Sequence, residues 1–516
     1  MINTIKELNS SKQVKYGVIM SYFTVAFNIL AGLIYTPWMV RQIGQADYGL
    51  YTLAISFISL FALDFGLGSA VSRFMSMYKA KDDIDGAKRF LGITCKLFLL
   101  ITFIFFLVLI VIYLQIENVF LGLTLLEISK LKVIFCIAGL YSIIAFSFNP
   151  LNGILISNER FLFLKSIDLF HKILIVLLMV IALLNGFGLY ALVIVNAFVG
   201  LLTIAIKLGY IMKFTDTEVD FSCRDKILLK EIFGFSAWTT VISISQRLIL
   251  NITPTILGAF AGSVQIAIFS IGMTIEGYTW TIAQALNGLF LPKVTRMTIS
   301  NKDMIEIENL MIKVGRIQLF VIGLIIVGFA SMGKEFMVLW MGNNFSDTYY
   351  VALLLIVPCI ISLTQEIAYT TLVALNEIKY RAMASLTVAV ISIILSVILS
   401  KNYGAIGSAI AIFIGNVVGV IVIMNFVYYR VLKINIFRFF RECHIKMLIP
   451  LLLTYVLGLL MQSQFPVETL WLFMGKAGLL AVIYFLLMWF ISFNLYERDL
   501  FLGLFKGASN KILNRR

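Results

Sequence analysis

The residue least at home in its surroundings is Arg247, which stands inside a long apolar stretch running through SISQRLILNITPTILGAF. A guanidinium keeps its charge at any accessible pH. Near the centre of a membrane helix it costs about 2.5–3.5 kcal/mol on insertion scales, so it turns to a cavity or a partner. Thr240, Ser243, Arg247, Asn251 and Pro254 recur at steps of 3, 4, 4 and 3, which puts them on one face of one helix. The planar fork of Arg suits phosphate, so this stripe has the chemistry an anionic cargo needs. The competing reading is a structural ion pair inside a helix bundle.

Glu276 lies at a similar depth in the next apolar stretch, and Glu276, Trp280, Gln284 and Asn287 follow helical spacing. Its carboxylate has two compatible roles: pairing with Arg247, or carrying a coupling proton or cation. The first apolar stretch adds a neutral stripe of Ser21, Thr24, Asn28 and Tyr35. Asp64 and Arg73 frame the segment LDFGLGSAVSRF, where Gly66, Gly68, Ser69 and Ala70 allow close backbone approach. That pair is either a cytoplasmic gate or a helix-end anchor. Glu366, two turns after Pro358, is either an ion-coupling group or a structural hydrogen-bonding one. Lys96 and Lys476 are near enough to span ends to snorkel to the membrane surface.

Little else offers chemistry. The two His, His171 and His444, have no evident partner, and the five Cys are scattered singly, without metal-ligand spacing. No metal site and no cofactor are expected. There is no phosphate-binding glycine loop and no nucleophile–base set, so the chain reads as a non-enzyme.

These residues must be positioned by membrane helices. Charged residues make up 13% of the 516, against about 25% in a soluble domain. Leu97 to Leu114 reads LFLLITFIFFLVLIVIYL without one charge. Eighteen such residues reach across most of the roughly 30 Å hydrocarbon core, and in lipid the backbone must satisfy its own hydrogen bonds, which makes such runs helical. The chain is read as an all-α polytopic membrane protein with about fourteen transmembrane helices. They lie near 14–37, 49–71, 90–114, 131–152, 167–184, 189–212, 236–257, 266–289, 315–333, 350–373, 382–400, 405–427, 446–462 and 470–494. The polar first residues lack a cleavage pattern, so the first apolar run is expected to stay as a span.

Of the 41 Lys and Arg, five lie in loops opposite the termini (Arg41, Lys130, Lys132, Lys334 and Lys401), three fall inside spans, and 33 lie on the side of the termini. The positive-inside rule then makes both termini cytoplasmic. The net charge of +14 is mostly cytoplasmic loop charge and requires no nucleic-acid partner. Connections 213–235 and 290–314 are amphipathic and expected as interfacial helices.

The chain also repeats itself. An offset of 218 residues brings Gly44 onto Gly262, Gly186 onto Gly404, Asn158 and Glu159 onto Asn376 and Glu377, and Asn28 onto Gln246. Six spans separate the copies, so both run the same way through the membrane, a known transporter plan with the substrate between the halves. This predicts an N-lobe over 1–212, a cytoplasmic linker helix over 213–235, a C-lobe over 236–430, and two added spans with a cytoplasmic tail over 431–516.

Three segments carry a family resemblance: IYTPWMVRQIGQADYGLYTLAISFISLFALDFGLGSAVSRF (Ile34 to Phe74), LNGLFLPKVTRM (Leu286 to Met297) and VLWMGNNF (Val338 to Phe345). With the fourteen spans they resemble Wzx-type polysaccharide (O-antigen) flippases of the multidrug/oligosaccharidyl-lipid/polysaccharide exporter (MOP) superfamily, across nearly the whole chain. The resemblance implies a MATE-like fold of two six-helix lobes in a bacterial cytoplasmic membrane. It implies a cargo of undecaprenyl-pyrophosphate-linked oligosaccharide carried from the cytoplasmic to the outer leaflet by alternating access, for surface polysaccharide biosynthesis. H+ or Na+ is the implied coupling ion, and membrane lipids and other polysaccharide-assembly proteins are implied contacts. Members often have a cationic central cavity, which Arg247 matches. Asn251 departs from the family, because relatives often carry Asp in this stripe. That moves the coupling role to Glu276, Asp64 or Glu366. Ser243, Asn251, Asn28, Gln284 and Asn287 join Arg247 as the expected substrate-binding set. Two other classes remain: a drug or small-cation exporter of the same fold, which would favour acidic cavity groups, and a membrane glycan polymerase or glycosyltransferase, which would need a larger catalytic loop than any present here.

Overall fold

The structure, a computed structural model, describes residues 10–61, 67–215, 217–222, 226–287, 294, 296–297, 304–500 and 502–503. The regular elements among the described residues are all helical. In chain order the spanning helices are α1 (Ser10–Ile43), α2 (Gln45–Phe61, then Leu67–Ala80), α3 (Ile84–Val119), α4 (Leu125–Ser147, prolonged by Pro150–Ser157), α5 (Phe161–Leu184), α6 (Leu189–Phe214), α7 (Lys226–Asn251, prolonged by Thr253–Phe260) and α8 (Ser263–Asn287). They continue with α9 (Met304–Met341), α10 (Asn343–Ala374), α11 and α12 (together Lys379–Arg430), α13 (Ile436–Gln464) and α14 (Leu470–Ser492).

Eleven helical stretches among the described residues are long and apolar enough to cross a membrane. One of them is two spans, because Gly404 turns the backbone (φ 51, ψ -130) and separates α11 from α12. With α2 and α8 the expected fourteen are present, including the fifth, which contains Asp168, His171 and Lys172, and the short thirteenth. Lipid-facing positions are plain on α3, where Leu99, Leu100, Phe103, Ile104 and Leu107 are all exposed. In water so large an exposed apolar patch would be an association site; around a spanning helix it is the surface that hydrocarbon covers.

The repeat is visible in the backbone. Gly44 and Gly262 take φ of 85 and 92, and Gly186 and Gly404 take 80 and 51. Both pairs stand at the offset of 218, where left-handed turns exclude ordinary side chains. The third pair slips by one residue: Glu159 (φ 57) matches Asn376 (φ 59), not Glu377. The capping bonds prove the register. Asn158, Glu159 and Arg160 donate backbone N–H to Ile154, Ile156 and Leu155, and Leu375, Asn376 and Glu377 donate to Thr371, Val373 and Leu372. The turn is therefore repeated bond for bond, one residue short of the spacing elsewhere.

Two compact units are formed, one of Met1–Ser270 with Arg381–Gly415, the other of Ile271–Tyr380 with Asn416–Arg516. The units are defined by packing and the repeat by sequence, and they cut the chain differently. In the first unit, Phe74, Phe90, Phe98, Phe146, Leu155 and Tyr210 form a core shared by α2, α3, α4 and α6, with Phe163 stacked on Tyr210 at 3.7 Å. In the second unit, α9 is the hub: 61% of its apolar window is buried, against 17% for α3.

The loops differ from expectation where α9 begins. Residues 304–314, expected at the membrane surface, are the first turns of α9, and Ile307 and Met311 are fully buried in protein. An apolar face that reads as lipid-seeking is here covered by neighbouring helices. Residues 213–235 divide between the end of α6 at Phe214 and the start of α7 at Lys226.

Candidate functional site

Arg247 is half-buried in the middle of Ala237–Phe260, the apolar part of α7. Ser243 and Asn251 on the same face are half-buried too. α7 loses regular geometry at Ile252, and Thr253 bonds back to the Ile249 carbonyl at 2.9 Å, just before Pro254. A helix so interrupted places its polar face beside a local break, a recurrent feature of membrane binding sites. Asn28 on α1 and Gln284 on α8 are exposed. Asn287 ends α8 and its side chain lies outside the described residues, as does Asp64 altogether. Arg73 is exposed, with its guanidinium 6.0 Å from the Phe74 ring centre.

Glu276 is half-buried near the middle of α8, hydrogen-bonded by Trp280 one turn on. Cys359 on α10 lies close to Glu276 and bonds with Trp280 and Ser362. Within the second unit the carboxylate therefore meets α10 where that helix is irregular. After Pro358, α10 passes from the short helix Cys359–Ser362 through a 3-10 turn, Leu363–Gln365, to a new helix opening at Glu366, which is half-buried. Gln365 Nε2 donates to Asn425 Oδ1 at 2.8 Å. Asn425 Nδ2 in turn donates to the Ile421 carbonyl at 2.7 Å, inside a π-helical stretch of α12, Val417–Ile423. Two irregular spans are thus tied through one pair of side-chain amides. Gln365 and Asn425 carry no charge, and Gln365 lies beside the more conspicuous Glu366, so neither stands out in the sequence.

A second cluster was also missed. Lys207 on α6 donates to Asn152 on α4 at 3.0 Å and to Asp168 on α5 at 3.4 Å. His171 Nδ1 lies 2.9 Å from the Thr203 hydroxyl, which donates to the Val199 carbonyl at 2.7 Å. His444 likewise has partners, the Thr364 hydroxyl and the Ile360 carbonyl, each at 3.3 Å. Both His were expected to lack them. A sequence signal did exist: Asn196, Gly200, Thr203 and Lys207 recur at steps of 4, 3 and 4, one small and polar face of α6.

Lys476 does not snorkel. It is buried on α14 and pairs with Glu335 at 2.5 Å while donating to the Phe465 carbonyl at 3.0 Å. A buried partner outweighs the reach to the membrane surface, because an unpaired charge there would lose its solvation. Among the described residues no group of three His, Cys, Asp or Glu is placed to hold a metal ion.

Residues 14–299, more than half of the chain, match the family model described as polysaccharide biosynthesis protein. The chain belongs to that family. Over 182 residues it is 23% identical to the probable low-salt glycan biosynthesis flippase Agl15 of Haloferax volcanii, a stretch covering 35% of this chain and 38% of that relative. This protein therefore aligns with well under half the length of that curated relative. Among solved structures, the lipid II flippase MurJ in an inward closed conformation superposes with TM-score 0.69 at 16% identity, covering 94% of this chain and 99% of MurJ. A multidrug resistance MATE family transporter of the MOP superfamily, in an inward-facing conformation, gives 0.65 at 17% identity over 80% of this chain and 95% of its own. At these identities the likeness is one of fold, shared with both proteins.

Proposed function

We propose that this chain is a flippase that moves undecaprenyl-pyrophosphate-linked oligosaccharide from the cytoplasmic to the outer leaflet of a bacterial cytoplasmic membrane, without chemical change to the cargo. The observation that carries the reading is Arg247, a permanent cation half-buried at the midpoint of a spanning helix in a polysaccharide biosynthesis protein. A pyrophosphate–sugar headgroup cannot cross hydrocarbon unaided. A guanidinium at mid-depth, flanked by Ser243 and Asn251, offers its two phosphates charge-assisted hydrogen bonds.

The transport cycle we infer is alternating access between the N-lobe, 1–212, and the C-lobe, 236–430, with 431–516 appended and both termini cytoplasmic. The excess of basic residues on the terminal side supports that orientation. Glu276 is the proposed coupling group for H+ or Na+, held by Trp280 against the irregular part of α10; Glu366 is the second candidate. Asn28, Gln284 and Asn287 are assigned to cargo contact, and Asp64 with Arg73 to gating.

The test is reconstitution into proteoliposomes containing fluorescently labelled undecaprenyl-pyrophosphate oligosaccharide, with transbilayer movement followed by accessibility to an added glycosidase. Movement above that of protein-free liposomes is expected. No movement of the lipid, with efflux of a cationic dye instead, would replace the flippase with a drug exporter of the same fold.

A further inference from the structure

The first unit contains a cavity of about 220 Å³ between α4, α5 and α6, to which Arg247 and Glu276 do not contribute. Tyr141, Asn149, Asn152, Asp168, His171 and Lys207 supply its polar lining. Asp168 is seven residues in from Phe161, Lys207 seven before Phe214, and Asn152 five before Ser157. At 1.5 Å per residue the three side chains lie about 8–10 Å from the helix ends nearer the termini, in the outermost turns of the expected spans. With Thr203, seven hydrogen-bonding side chains line this one cavity, and the Asp168 side chain stays 38% exposed.

Charge and valence decide the class of ligand. The two charged groups lining the cavity, Lys207 and Asp168, face each other at 3.4 Å, and Lys165 lies 3.8 Å from the other Asp168 oxygen. An incoming phosphate would meet the Asp168 carboxylate beside the ammonium, and like charges repel. A neutral polyol meets a better set. Lys207 has spent two of three donors, on Asn152 and Asp168. Asn152 accepts through its oxygen, which turns its NH2 away as a donor. The Thr203 proton is committed to Val199, so His171 donates through Nδ1. Asp168 is the most open of the pair, 38% exposed against 12% for Lys207, and keeps acceptor sites toward the mouth. The cavity therefore offers both donors and acceptors, as sugar hydroxyls require. The rings of Tyr141 and Phe148 add apolar wall for the C–H face of a sugar. Tyr141 is held in place by Gly200, since a Cβ there would lie 2.2 Å from the phenol oxygen. The volume falls below the roughly 300–1,000 Å³ of drug-sized pockets and suits a single ring.

We propose that this cavity is a sugar subsite, which seats one uncharged pyranose ring of the oligosaccharide. The proposal rests on the flippase reading and adds to it a source of sugar selectivity apart from Arg247.

The test uses the full chain in nanodiscs and native mass spectrometry, with four probes: bare undecaprenyl pyrophosphate, and the same lipid carrying one N-acetylglucosamine, N-acetylgalactosamine or galactose. The wild-type protein should bind at least one glycosylated lipid about tenfold more tightly than the bare lipid, the yield of one or two net hydrogen bonds. Asn152→Ala and Asp168→Asn should each bring that ratio to about one and leave affinity for the bare lipid unchanged. Two substitutions of different character guard against misfolding, and retained bare-lipid binding reports an intact protein. A preserved ratio in both variants would overturn the sugar subsite and leave the flippase reading standing. So would equal loss of bare and glycosylated lipid, or wild-type indifference to all three sugars. Failure of the wild type to bind any of the four lipids would overturn the flippase reading itself, and the subsite with it.

Discussion

The Arg316 guanidinium grips the Glu497 carboxylate with two bonds, Nε to Oε1 at 2.5 Å and Nη2 to Oε2 at 2.9 Å, and both side chains are 4% exposed. The same guanidinium donates to the carbonyls of Glu442 and Ser492 at 2.8 and 2.6 Å. One side chain of α9 thereby fastens the chain entering α13 and the chain leaving α14. Nineteen residues further along α9, Glu335 holds Lys476 of α14. The two clamps stand about 28 Å apart along the helix, close to the thickness of the hydrocarbon core. The last two spans are stapled to the hub of the second unit near both membrane faces.

Breaking the first staple should be severe. Arg316→Ala leaves Glu497 buried and unpaired, a loss of about 3–5 kcal/mol. The purified variant should aggregate on heating well below the wild type in a gel-filtration thermal assay. Replacing the whole pair, Arg316→Met with Glu497→Leu, should recover most of the loss. A double variant no more stable than the single one would show that the charges themselves are not the source.

Arg247→Ala removes charge-assisted bonds to a phosphate, each worth about 1.5–3 kcal/mol. Flipping of the pyrophosphate-linked oligosaccharide in proteoliposomes should fall by about tenfold or more while membrane insertion is unchanged. Arg247→Lys keeps the charge but not the fork and should fall between the two. Wild-type rates in Arg247→Ala would remove this residue from the cargo path.

Glu276→Gln keeps the size of the side chain and its contact with Trp280 but cannot ionise. The variant should still equilibrate lipid between leaflets yet stop responding to an imposed H+ or Na+ gradient. A response equal to the wild type's would transfer the coupling role to Glu366, for which Glu366→Gln is the matching test.

Gly200→Ala tests the packing behind the sugar pocket. The added methyl would meet the Tyr141 phenol at 2.2 Å, and overpacking of this kind costs about 1–3 kcal/mol. A lower melting temperature is expected, and because the ring carbons Cε2 and Cζ would also lie at 2.4 Å, Tyr141→Phe in the same background should not restore it. An unchanged melting temperature for Gly200→Ala would mean that α4 and α6 can separate freely at this level.

The amino-acid sequence alone determined what depends on local pattern. Apolar runs such as Leu97 to Leu114 cannot be other than spanning helices, because backbone in lipid has no other way to satisfy its hydrogen bonds. Gly44 and Gly262, and Gly186 and Gly404, betrayed the repeat because left-handed turns favour glycine. Arg247 and Glu276 stood out because each breaks the apolar rule within its own helix. What only the tertiary structure decided is which polar groups meet. Lys207 and Asp168 are 39 residues apart, Gln365 and Asn425 60, and Arg316 and Glu497 181. In one dimension Lys207 and Arg316 look like ordinary span-end cations and Lys476 like a snorkelling one. Helix periodicity reports which face a residue occupies but not which helix that face will touch, and a charge inside a membrane protein is explained only by the partner that packing brings to it.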